Sequence, residues 1–287
     1  MRVFQIHIAA KHGFCSGVRR AITLTEQALA GGEPVVLLHE LVHNNAVSAY
    51  LTRRGARVVD TIDEVPDNVT LVTSAHGIPA GVAADIRRRK LKWVDATCPI
   101  VARIHELSNA VLEGDLVVLI GHGGHPETIG TLGQHPGRIH LVEKAGDVSF
   151  LPELLPGQGV RILTQTTLSA AELEAPMAAI MARYPGARGG DCRCYATGER
   201  QDAVRELAGR CDCVLVVGTR ASSNSCRLRE VAEAAGVRAM LVEDPATFDL
   251  AAIEKFSSIG VTSGASVPES QLQELICRLE AAGGEPA

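Results

Sequence analysis

Three stretches of the chain repeat one pattern of apolar and polar positions, and each begins at a cysteine. They are "CSGVRRAITLTEQALAGG" from Cys15, "CPIVARIHELSNAVLEGD" from Cys98 and "CYATGERQDAVRELAGRC" from Cys194. In the first, Val18, Ala21, Ile22, Thr25 and Leu29 recur at the spacing that lines one face of an α-helix. Ile100, Ile104, Leu107 and Val111 do so in the second, and Ala203, Val204, Leu207 and Ala208 in the third. Glycine follows the first two runs and sits late in the third, a common helix stop.

The likeness continues beyond the helices. A short apolar run follows each: "PVVLL", "LVVLI" and "CVLVV". Each run leads through a polar loop to a second helical stretch: "HELVHNNAVSAYL", "GHGGHPETIGTL" and "GTRASSNSCRLREVAEAAG". A further strand, loop and helix close each segment: "VTLVTSAHGIPAGVAADI", "VRILTQTTLSAAELEAPM" and "SSIGVTSGASVPESQLQEL". The cysteines lie 83 (98 minus 15) and 96 (194 minus 98) residues apart, so the chain reads as three copies of one unit of roughly ninety residues. Strands alternating with helices predict a parallel sheet in each copy. The expected fold is therefore α/β, with three similar small domains over 15–97, 98–193 and 194–287 and an N-terminal strand within 1–14 packed on the assembly. Ligands of open parallel sheets bind at the carboxyl ends of the strands. An approximate threefold axis would bring the three cysteines and the polar loops to one central site.

Composition narrows the classes. Hydrophobic residues make up 46% and charged residues 21%, ordinary for a globular protein. A net charge of -5 argues against a nucleic-acid partner, because phosphate contacts need a basic excess. Aromatics at 3% leave few platforms for base stacking. No apolar run approaches the length of a membrane span, and the N-terminus lacks a signal-peptide layout, so a cytoplasmic protein is expected. Eight cysteines in such a chain point to metal binding or burial, although no CxxC pair occurs.

One cysteine at a helix start reads most simply as a small apolar residue. Three in register, beside histidine-bearing loops, read as ligands. A helix N-terminus favours thiolate. Three thiolates with one histidine suit zinc, and three alone suit a 4Fe–4S cluster with one iron left open. The residues do not choose between them. Cys192 lies two positions before Cys194, but only Cys194 matches the helix-start register. Cys226 and Cys277 fall in helical stretches and are expected to be structural.

The loop "GHGGHPE" supplies His122, His125 and Glu127, a set suited to proton delivery. "HELVHNN" carries His43, and "SAHG" carries His76. "SSNS" carries Ser222, Ser223 and Asn224, and "SGAS" ends in Ser266. Singly these are helix caps; together they resemble an anion pocket able to bind phosphate without a P-loop. "TQTT" contains Thr166, where a turn and a substrate contact are equally compatible with the residues.

Taken in order, "GFCSGVRRAI", "HELVHN", "SAHG", "DATCPIV", "GHGGHPE", "TQTTLS", "CYAT", "SSNS" and "GAS" cover nearly the whole chain. The sequence resembles the 4-hydroxy-3-methylbut-2-enyl diphosphate reductases, which perform the last step of the methylerythritol phosphate route to isoprenoids. The resemblance implies three α/β domains around a 4Fe–4S cluster held by Cys15, Cys98 and Cys194. It implies that His43, His76, Ser222, Ser223, Asn224 and Ser266 hold the substrate diphosphate. It gives Glu127 proton relay, and His125 and Thr166 contact with the substrate hydroxyl. The implied reaction is a two-electron reductive dehydroxylation to isopentenyl and dimethylallyl diphosphate, with electrons from a ferredoxin or flavodoxin type donor. The chain departs from the usual pattern at Lys11-His12, Arg19, Cys192 and Cys226, which leaves a paralogue acting on another allylic diphosphate as the alternative. From the residues alone, a zinc-dependent hydrolase and a non-catalytic iron-sulfur protein also remain.

Overall fold

The computed structural model describes residues 3–110 and 114–287; Val111, expected on the second cysteine helix, lies outside the described residues. Along the chain run β1 (Phe4–Ile8), α1 (Ser16–Ala30), β2 (Val35–Leu38), α2 (Asn45–Arg53), β3 (Ala56–Val59), β4 (Thr70–Thr73), α3 (Ala80–Arg88) and β5 (Lys92–Asp95). There follow α4 (Pro99–Asn109), β6 (Leu116–Ile120), α5 (Pro126–Leu132), β7 (Ile139–Val142), β8 (Val160–Thr164), α6 (Ala170–Arg183) and β9 (Arg188–Gly189). The last part contains α7 (Tyr195–Ala208), β10 (Cys213–Val217), α8 (Ser223–Ala234), β11 (Arg238–Val242), β12 (Ser258–Ser263), α9 (Glu269–Ala281) and β13 (Gly284–Pro286).

The strands form three parallel sheets of one topology, ordered β3-β2-β4-β5, β7-β6-β8-β9 and β11-β10-β12-β1-β13. The apolar runs read as strands are the central ones. Every residue of β2, β6 and β10 is buried, as expected where both faces of a parallel sheet are covered. Alternate side chains of β10 enter two cores. Cys213, Leu215 and Val217 pack with Leu272, Leu275 and Leu279 of α9, and Val214 and Val216 pack with Val204 and Leu207 of α7 and Leu228 of α8. Full burial of each such aliphatic side chain contributes about 1.5–3 kcal/mol.

The strand expected within 1–14 is β1, whereas β3, β5, β7, β9, β11 and β13 are not among the strands read from the hydrophobic pattern. β3, β7 and β11 are edge strands of mixed burial; Arg57 and His140 interrupt the apolar residues of β3 and β7, while β11 carries an apolar run over 239–242. The fourth position is taken by β5, β9 and β1. β1 aligns Gln5 with Ser258 and Ile8 with Val261, so the N-terminal strand joins the sheet built otherwise from the end of the chain. Each cysteine helix thus follows the fourth strand of one sheet and leads into the next. α4 packs Ile104 against Val117 and Leu119 of β6. Its buried face is Val101, Ile104 and Ser108, whereas Ile100 and Leu107 are only partly covered.

Packing divides the chain into two compact units. One comprises the chain up to Val18, His43–Val47 and Tyr195–Ala287, and holds the third sheet; the other comprises Arg19–Val42 and Ser48–Cys194, and holds the first two. Within the second unit the two sheets' connections are fastened by backbone. The Ala80 amide donates to the Gly133 carbonyl at 3.0 Å, and a Cβ on Gly133 would lie 2.4 Å from Cβ of Pro79, so glycine is required there. Among the described residues no helix is long and apolar enough to cross a membrane.

Candidate active site

The three cysteines repeat one local geometry. Each lies one residue before a helix, and each donates its amide to the carbonyl two positions beyond the end of a strand. Cys15 bonds Ala265 beyond β12 at 3.1 Å, Cys98 bonds Ala75 beyond β4 at 3.0 Å, and Cys194 bonds Thr166 beyond β8 at 3.0 Å. The preceding segment is tied down as well. Gly13 donates its amide to Ser263 Oγ at 2.8 Å, and Cys192 donates its amide to Thr164 Oγ1 at 2.8 Å. None of the three forms a disulfide, and all are partly exposed. The Val18 amide points at Cys15 Sγ from 3.4 Å. Cys192 differs: it packs against the Ile104–Leu119 core, its thiol donates to the Gly190 carbonyl, and burial pushes its pKa up. Cys277 is exposed rather than structural.

In the second unit the strand ends carry an acid-base group. His125 caps α5, its Nδ1 accepting the Glu127 amide at 3.1 Å. With Nδ1 an acceptor, the neutral ring carries its proton on Nε2 and presents a donor. Glu127, in the first turn of α5, is 3% exposed. Oε1 accepts the Thr166 amide and Oε2 accepts the Thr166 hydroxyl, both at 2.7 Å. Burial pushes its carboxyl up to about 7, against the two hydrogen bonds from Thr166, which favour the charged form. A carboxyl so shifted can take up or release a proton near neutral pH. His76, from the loop after β4, meets His125 edge to face with ring centroids 5.7 Å apart. Gln165 joins the loops after β6 and β8: its Oε1 accepts the His122 amide at 2.9 Å and its Nε2 donates to Thr167 Oγ1 at 3.0 Å.

In the first unit the polar loops after β10 and β12 surround α8. Ser222 caps α8, Ser223 is its first residue, and Asn224 follows in the first turn. The His43 carbonyl accepts hydroxyl donors from Ser266 at 3.1 Å and Thr219 at 3.4 Å, so His43 stands with these loops although it follows β2. Asn224 is 6% exposed, and among the described residues neither Nδ2 nor Oδ1 has a hydrogen-bond partner. An unpaired buried amide costs about 1–3 kcal/mol.

The structure thus gathers His76, His125, Glu127 and Thr166 in one unit, together with Cys98 and Cys194. It gathers His43, Ser222, Ser223, Asn224 and Ser266 in the other, together with Cys15. Sequence reasoning missed the stitching by Gln165 and the clamp on each cysteine amide. The clamp had a signal, since Ala75, Thr166 and Ala265 occupy equivalent places in "TSAH", "TQTT" and "SGAS". Among the described residues no three His, Cys, Asp or Glu side chains are grouped as ligands of one metal ion would be.

Residues 6–280 match the family described as LytB protein. The chain is 46% identical to the 4-hydroxy-3-methylbut-2-enyl diphosphate reductase of Tolumonas auensis, over 98% of this chain and 92% of that one. It is 46% identical to the reductase of the same name in Azotobacter vinelandii, covering 96% and 89%. Among solved structures it is similar to the E-1-hydroxy-2-methyl-but-2-enyl-4-diphosphate reductase of Plasmodium falciparum, with a TM-score of 0.93, 30% identity and coverage of 99% and 92%. It is also similar to a structure described as (E)-4-hydroxy-3-methyl-but-2-enyl diphosphate reductase, the terminal enzyme of the non-mevalonate pathway, with a TM-score of 0.70, 29% identity and coverage of 97% and 100%.

Proposed function

This chain belongs to the LytB protein family, and from that premise we propose that it reduces 4-hydroxy-3-methylbut-2-enyl diphosphate, replacing the allylic hydroxyl group by hydrogen. Two electrons and two protons enter, the C–O bond breaks, water leaves, and a C–H bond forms at one end of the allylic system or the other. The products are isopentenyl and dimethylallyl diphosphate. The names of the relatives turn the choice left open by the thiols away from zinc hydrolysis and toward redox chemistry.

Cys15, Cys98 and Cys194 would hold a 4Fe–4S cluster. Three thiols outside any disulfide, at three helix starts and each with its amide pinned, fit that role. When bound, such a cluster supplies single electrons and a Lewis-acidic iron for the departing oxygen. The remaining work falls to this chain's own side chains. The diphosphate is held by His43, His76, Ser222, Ser223, Asn224 and Ser266. Ser266 now donates to the His43 carbonyl, so taking up a phosphate oxygen redirects its hydroxyl. The Thr166 hydroxyl and His125 Nε2 lie at the substrate's hydroxyl end. Glu127 delivers a proton to the leaving oxygen through Thr166 and is recharged at neutral pH. Electrons come from a ferredoxin or flavodoxin type donor in the cytoplasm, where all eight cysteines would stay reduced, as they are here.

The single observation that carries this reading is the buried Glu127 carboxyl, held by both donors of Thr166 and pushed up to about 7. The test is to assemble the cluster without oxygen, add substrate and dithionite, and identify the products. Formation of both C5 diphosphates is expected; unchanged substrate with a full complement of iron overturns the assignment.

A further inference from the structure

The phosphate-facing serine motif contains a fourth residue, Ser225, to which the function above gives no role. Ser225 is fully buried, at 0% exposure. It is wedged between two loops. A Cβ on Gly218, after β10, would fall 2.2 Å from Ser225 Oγ, and one on Gly264, after β12, would fall 2.1 Å from it. Both loops therefore need glycine to close around this hydroxyl. Inside that cradle Ser225 makes two bonds to a single atom. Its amide donates to Ser222 Oγ at 3.3 Å, and its own Oγ donates to Ser222 Oγ at 3.0 Å.

A serine hydroxyl has two acceptor sites and one hydrogen. With both acceptor sites of Ser222 filled from Ser225, only its hydrogen is left for anything outside the cap. A phosphate oxygen at neutral pH accepts and does not donate, so it needs that polarity. A helix cap alone would engage one acceptor site and leave the Ser222 proton free to turn. We propose that Ser225 is a positioning residue that locks Ser222 as a hydrogen-bond donor to the substrate diphosphate, acting through Ser222 and touching no ligand itself. Chained hydroxyls also polarise one another, which strengthens the outward bond. The inference rests on the placement of the diphosphate at Ser222 proposed above.

The test is a double-mutant cycle on the cluster-loaded enzyme, with affinity for inorganic pyrophosphate and the steady-state constants as readouts. Ser222→Ala is expected to weaken pyrophosphate by about tenfold, and Ser225→Ala by about three- to tenfold, the range for one hydrogen bond. The loss should appear as a rise in KM. Ser225→Cys fills the site with a slightly larger side chain that donates only weakly, so its affinity should match that of Ser225→Ala. In the Ser222→Ala background, neither change at position 225 should have any further effect. Independent, multiplying losses overturn the inference, as does full affinity in Ser225→Cys. If Ser222→Ala itself leaves pyrophosphate binding untouched, the diphosphate placement fails first and the inference with it.

Discussion

Replacing Glu127 with glutamine separates its chemistry from its packing. The amide matches the carboxylic acid in shape. Its carbonyl can keep the Thr166 amide, and its NH2 can donate to the Thr166 hydroxyl once that group turns to accept, so the fold should survive. The native carboxyl is pushed from 4.5 to about 7, and at roughly 1.4 kcal/mol per unit its ionisation costs the folded protein about 3 kcal/mol. The sign follows from a raised folded pKa. Below about pH 4.5 the group is neutral in both states and costs nothing. Between pH 4.5 and 7 the unfolded state releases its proton first, and stability falls. Above 7 the cost is complete. Glutamine never ionises, so Glu127→Gln should equal the parent near pH 4.5 and exceed it by about 3 kcal/mol at pH 8, measured by denaturant unfolding of matched preparations. Turnover should move the opposite way. It should drop by about 10²- to 10⁴-fold, the usual contribution of a positioned acid, with iron content and colour intact. The parent's rate should decline above pH 7, and the variant's residual rate should be flat. A stability difference that does not change with pH would refute the burial argument. A variant with normal turnover would refute the proton-carrier role.

Thr166→Val removes the hydroxyl that favours the ionised form of Glu127. The falling limb of the pH–rate profile should therefore move to higher pH, while the rate at its plateau falls roughly tenfold. Asn224→Leu removes an amide with no hydrogen-bond partner among the described residues; the ligand-free protein should melt at the same temperature or slightly higher, and KM should rise by about tenfold or more. Cys98→Ser should lower iron content and the visible absorption after anaerobic reconstitution, leaving the far-UV circular dichroism unchanged. Gly133→Ala drives a methyl group against Pro79, and an unfolding free energy lower by about 1–3 kcal/mol is expected.

The repeat, the parallel-sheet class and the central strands were legible in the sequence because burial on both faces demands unbroken apolar runs such as those of β2, β6 and β10. Helix starts at the three cysteines were legible because helical periodicity is local. The edge strands β3 and β7 were not, because Arg57 and His140 interrupt their apolar residues, and β11 is not among the expected strands although its residues 239–242 are all apolar. Long-range pairing was not legible either. Nothing in the local pattern around Phe4–Ile8 says that it will lie beside Ser258–Val261, or that the backbone of His43 will sit against Ser266 and Thr219. The chemical inventory belonged to the sequence alone, since thiols, imidazoles and carboxyls carry their reactivity in any fold. The state of that inventory was decided by tertiary structure. A carboxyl such as Glu127 changes its proton affinity only when distant segments exclude water from it, and a hydroxyl such as Ser222 acquires a polarity only when another group occupies its acceptor sites. Both are properties of surroundings that close over a residue in three dimensions.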